Sequence, residues 1–142
     1  MAEFAQTDIA APGIMTVDWE TRVDVDRLRD YRLGRARQAL ADSELGALLV
    51  FESSNVRYLT ATHIGTWGYN KTERWALLTR TGTPWIWDFG SAAKNHRLYS
   101  PWLEPSHSVG GNVGLQGAIA PTSGLPAGAA QQIAAILRDE GV

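Results

Sequence analysis

The chain has 142 residues, 44% of them hydrophobic and 20% charged, with a formal net charge of −2 and no cysteine. That length suits one domain with an ordinary core, and the charge balance leaves no electrostatic footprint for nucleic acid. Disulfides, thiolate nucleophiles and zinc–sulfur centres are excluded. No apolar run reaches the roughly 20 residues of a membrane helix, and the first residues lack the basic-then-apolar order of a secretory signal, so a cytoplasmic protein is expected.

Residues 1–23 mix small, polar and acidic types around Pro12 and Gly13 without a sustained period, which predicts an extended or flexible lead-in to a domain over 24–142. Asp24 or Asp26 is placed to cap a helix, because a short carboxylate accepts from the free N–H groups of a first turn. Leu28, Tyr31, Ala36, Ala39 and Leu40 follow at helical spacing, so this helix runs to about Ser43 and ends before Gly46. Ala47 to Phe51 is a continuous apolar run and reads as a strand buried on both faces.

Ser54 or Asn55 then caps a short helix over Val56 to Ala61. A loop over 62–73 holds Gly65, Trp67, Gly68 and Tyr69. Arg74–Thr79 and Pro84–Phe89, around Thr81-Gly82-Thr83, read as a hairpin. Ser91 caps a helix to about Tyr99, which Pro101 stops. Glu104–Val109 is a further strand, and a glycine-rich crossing segment follows. A last helix has Pro126 in its first turn and an apolar stripe of Ala129, Ile133, Ile136 and Leu137, and ends at Gly141. The order helix–strand–helix–hairpin–helix–strand–helix predicts an α/β fold, a mixed sheet with helices packed on it.

Reactive constellations are missing from these elements. His63, His96 and His107 lie far apart, and none has a second ligand at helical spacing, so no metal site is expected. Phe89-Gly90-Ser91-Ala92-Ala93 lacks the first glycine of a nucleophile elbow and reads as a strand end feeding a helix cap. Gly110-Gly111-Asn112-Val113-Gly114 lacks the Gly-Lys-Ser/Thr of a phosphate loop. Paired carboxylates are absent; Asp88, at a strand end, reads as a cap for the next turn. One feature stands apart, the loop Thr62 to Tyr69, where two glycines bracket a tryptophan. Exposed aromatics on such a loop suit a ligand wall, a cation-binding face or a subunit contact, and the competing arrangement folds Trp67 back over the sheet edge.

The run Arg35-Ala36-Arg37-Gln38-Ala39-Leu40, with Leu45-Gly46-Ala47-Leu48-Leu49-Val50 and Asn55-Val56-Arg57-Tyr58-Leu59-Thr60, resembles the N-terminal domain of the creatinase/prolidase/aminopeptidase P family. Thr62 to Trp67 and Trp87-Asp88-Phe89-Gly90-Ser91-Ala92 resemble its branch near the dimethylsulfoniopropionate lyases, and Ala61 stands where the family usually has glycine after Leu-Thr. The resemblance covers roughly residues 27–140. It implies a three-layer, mixed-sheet domain with a ribonuclease H-like motif, without catalytic residues or cofactor of its own. The pita-bread catalytic domain, with two divalent metal ions, lies beyond position 142. The implied partners are that catalytic domain and a second copy in a homodimer, with neither nucleic acid nor membrane involved. The implied parent is a metal-dependent Xaa-Pro peptidase, a creatinase-like hydrolase or a lyase. His63, Trp67 and Tyr69 become candidates for one wall of the partner subunit's substrate pocket. The alternative is a stand-alone interaction or small-molecule-binding module without enzymatic activity.

Overall fold

The computed structural model describes residues 23–64, 74–111, 120 and 122–142. The first helix, α1 (Val25–Ala41), starts where expected: Asp24 Oδ1 accepts from the Arg27 N–H at 2.9 Å. Strand β1 (Ala47–Val50) follows. Next comes α2 (Ser53–Thr60), whose cap is Glu52, accepting from the Asn55 N–H at 3.0 Å, rather than Ser54 or Asn55. The expected hairpin is present as β2 (Trp75–Thr79) and β3 (Trp85–Asp88). Helix α3 (Gly90–Tyr99) begins after Phe89, two residues earlier than a Ser91 cap requires, and Asp88 Oδ1 accepts the Phe89 N–H at 3.0 Å. The stretch expected as a strand over Glu104–Val109 is divided. Pro105–His107 forms a 3-10 turn, and only Ser108–Gly110 forms β4. Helix α4 (Leu125–Asp139) closes the fold.

The four strands lie in the order β1-β2-β3-β4, the first two pairings antiparallel and the third parallel, so the sheet is mixed as expected. Residues directly opposite one another share a face, and the register therefore sorts the side chains. Trp75 pairs with Trp87, Leu77 with Trp85, Leu49 with Leu77 and Trp87 with Val109, which puts all of these on one face. Helix α4 covers that face with Ala129, Ile133, Ile136 and Leu137, the stripe read from the sequence. Ala76, Leu78 and Ile86 point the other way and pack with Ala36 of α1 and with Val56 and Leu59 of α2. Helix α3 joins this second face through His96, which reaches Asp88. The result is an α/β domain of three layers.

The strand buried on both faces is β2, not β1. Every residue from Trp75 to Thr79 is buried, whereas β1 lies at the sheet edge with Leu49 and Phe51 exposed. An apolar run is compatible with either place, and only the pairing order decides which strand is central. The tryptophans also divide. Trp75 and Trp87 are core residues, Trp85 is half-buried, and Trp102 is 39% exposed; Trp19 and Trp67 lie outside the described residues. The rings of Phe51, Trp75, Trp87, Trp85 and His107 form a ladder across the sheet, with successive centroids 6.3, 6.0, 6.1 and 3.7 Å apart.

A buried ionic bracket between α2 and β2 as the candidate functional site

Of the three residues singled out for a pocket wall, His63 is described, and it is exposed just beyond α2. Trp67 and Tyr69 lie outside the described residues. What the structure adds is the framework on either side of that segment.

Arg74, the residue before β2, is 1% exposed. Its Nη2 donates to the Thr62 carbonyl at 3.0 Å and also to the Thr62 hydroxyl. The Thr62 and Thr60 hydroxyls lie 2.7 Å apart, and Thr60 Oγ1 donates to the Val56 carbonyl at 2.7 Å, within the last turn of α2. One guanidinium thus ties the exit of α2 to the entry of β2, across residues 63–73.

The charge of Arg74 is balanced by Asp88, which is fully buried at the end of β3. Arg74 Nε stands 3.2 Å from Asp88 Oδ2, an ion pair rather than a hydrogen bond. His96 Nε2 lies 2.9 Å from the same oxygen, and the imidazole donates because an ionised carboxylate only accepts. Asp88 therefore holds a cation from one side, an imidazole from the other and a backbone N–H on Oδ1. Burial pushes the Arg74 guanidinium below its ordinary value, and the Asp88 carboxylate pulls it back up. Arginine stays charged under that balance.

Asp88 and His96 do more here than their sequence context indicates. Asp88 does bond the turn that follows β3, as expected of a cap, but its second oxygen anchors the bracket. His96 looked isolated because its partner is eight positions away on a strand. The legible signal was an arginine and an aspartate in an otherwise apolar hairpin, since charges in buried strands are rare unless paired. His107, expected within the strand Glu104–Val109, ends the 3-10 turn. It is half-buried, stacks on Trp85 and lies 3.0 Å from Thr83 Oγ1 through Nδ1. Burial pushes its pKa down, against the opposing pull of Glu104, of backbone contacts at Pro84 and Thr83, and of Glu140.

The bracket is an ionic and hydrogen-bonding scaffold. It contains no nucleophile paired with a base, and among the described residues no three His, Cys, Asp or Glu side chains converge as metal ligands. Those residues therefore do not fit a metal centre. Among them, no helix is long and apolar enough to cross a membrane.

No protein-family model matches the chain. The chain is 34% identical over 67 residues to the dimethylsulfoniopropionate lyase DddP of Roseovarius nubinhibens, a stretch that is 46% of this chain and 15% of the lyase. The likeness therefore concerns a small part of that protein's length and loosely supports the relationship seen in the motifs.

Proposed function

We propose that this chain is the non-catalytic N-terminal domain of a metal-dependent enzyme of the creatinase/prolidase kind, in the branch near the dimethylsulfoniopropionate lyases. In that reading the chemistry belongs to a separate catalytic domain with two divalent metal ions. This domain supplies a homodimer contact and one wall of the partner subunit's substrate pocket, formed by His63, Trp67 and Tyr69. The observation that carries the proposal is the buried bracket Thr62–Arg74–Asp88–His96, which fixes both ends of the segment bearing those residues. A wall contributed to a neighbouring site needs such anchoring, because a misplacement of about 1 Å costs binding and rate. The partial similarity to a lyase named for a sulfonium substrate agrees with an aromatic wall, since an aromatic face attracts a sulfonium or ammonium cation.

The test is Trp67→Ala in the complete enzyme, assayed with dimethylsulfoniopropionate and with an Xaa-Pro dipeptide. A cation–π contact of about 0.5–2 kcal/mol corresponds to a rise in KM of roughly 2- to 30-fold for the cationic substrate. Unchanged KM and kcat for both substrates remove the proposal.

A further inference from the structure

The turn that leaves α2 carries a strained residue. Among the described residues, Ala61 alone combines a side chain with a positive φ, at 53°. A left-handed backbone that bears a Cβ persists only where its surroundings over-determine it, and such residues gather at functional positions. Here the surroundings come from three directions. Arg74, ahead of β2, donates to the Thr62 carbonyl and hydroxyl. Thr60 Oγ1 donates to the Val56 carbonyl at 2.7 Å and lies 2.7 Å from Thr62 Oγ1. The third hold is Trp102, in the turn after α3, whose Nε1 donates to the Thr60 carbonyl at 2.9 Å. That carbonyl is among the last four of α2, which have no partner within the helix.

Burial does not account for Trp102. It is 39% exposed, whereas Trp75, Trp85 and Trp87 are all less so. Its ring is placed by two neighbours. The next residue, Leu103, is buried in the core with Val56 of α2. The Arg29 guanidinium of α1 stands 4.8 Å from the indole centroid and is itself tied to Asp26 at 2.9 Å. The Thr60 carbonyl belongs to the planar peptide that must rotate if Ala61 is to relax to a negative φ. Trp102 holds that carbonyl before Ala61, and Arg74 holds Thr62 after it, so the strained residue is gripped on both sides.

We propose that Trp102 is a positioning residue: through the Thr60 carbonyl it keeps Ala61 left-handed and so aims His63, two residues further on. The place of His63 in a pocket wall rests on the proposed function, whereas the hold of Trp102 on the turn does not. The indole N–H is the working part, because it is the one group of Trp102 that reaches the backbone of α2.

The experiment uses Trp102→Phe, which keeps a ring beside Arg29 and loses the N–H. In the 142-residue chain, the amide NMR signals of Thr62 and His63 are expected to move while those of Ala76 and Ile86 in the core strands stay in place. Glycine takes the left-handed backbone without strain, so adding Ala61→Gly should return the Thr62 and His63 signals to those of Ala61→Gly alone. In the complete enzyme, Trp102→Phe should raise KM for dimethylsulfoniopropionate about fivefold with kcat unchanged, the worth of one hydrogen bond, and Ala61→Gly should reverse the rise. Signals of Thr62 and His63 that stay put, or that glycine does not restore, would overturn the proposal. If those signals move and Trp67→Ala raises KM but Trp102→Phe does not, the aiming of His63 is overturned while the pocket-wall reading stands. If neither variant changes KM, the pocket-wall reading fails and the hold of Trp102 on the turn stands.

Discussion

Asp88 shows how much one buried carboxylate can hold. It compensates Arg74, receives His96 and bonds the first N–H beyond β3. Removing one member of a buried pair strands the other charge, which is costlier than the pair is worth. Asp88→Asn is therefore expected to destabilise the domain by about 3–5 kcal/mol, measured by urea denaturation. Combining Arg74→Met with Asp88→Leu removes both charges at once, and the double variant should recover most of that loss. An additive double variant would show that the ion pair does not couple these residues. His107 makes the opposite kind of statement. Its folded pKa is depressed, chiefly by burial, so the unfolded chain binds its proton more readily. Stability is then highest above the unfolded value of about 6.5 and falls as the pH drops through that value toward the lower folded one. The difference in Tm between pH 8 and pH 5 should shrink in His107→Gln, which keeps a polar side chain but does not titrate.

At the scale of single elements, helix ends carry most of the local information. The end of α4 is a Schellman motif: the Val142 N–H donates to Leu137 O, the Gly141 N–H donates to Arg138 O, and Gly141 has φ of 74°. That ending was legible from Gly141 alone. The end of α2 is less comfortable. Ala61 caps it with φ 53° and ψ 24°, the left-handed region that disfavours a Cβ by about 1–2 kcal/mol. Ala61→Gly is expected to stabilise the domain by about 0.5–1 kcal/mol after the extra freedom of the unfolded chain is subtracted. Gly128→Ala in α4 should stabilise by a similar amount, because among the described residues the added methyl meets nothing within 4 Å. Thermal denaturation of both single variants measures these shifts. A lower Tm for Ala61→Gly would mean that neighbouring contacts, not the left-handed cap, set the conformation there.

For the whole molecule, the two faces of the sheet have different guardians. Helices α1, α2 and α3 cover the face that carries the ionic bracket, and α4 covers the tryptophan ladder, with Gln132 bonded to Trp87. Deleting residues 125–142 leaves Trp75 and Trp87 uncovered and removes the hydrogen-bond partner of the Trp87 indole. A shortened chain ending at Gly124 is expected to lose its cooperative unfolding transition and to bind a hydrophobic dye such as ANS. Retention of a sharp transition would mean that the ladder is stable without its helix.

Much of this architecture lay open in local pattern. Helix starts, the hairpin, the apolar stripe of α4 and its glycine ending each depend on side chains within a few positions of one another, so periodicity and capping chemistry reveal them. The mixed α/β class followed from their order. Two features were decided by tertiary structure alone. The interior strands proved to be β2 and β3, with β1 at an edge, because strand order, and not the apolarity of a run, determines which backbone is covered on both sides. Arg74, Asp88 and His96 met because pairing of β2 with β3 and packing of α3 bring together charges that stand apart along the chain. Local preferences specify elements; only the assembled sheet, with its low-dielectric interior, determines which polar groups must find each other.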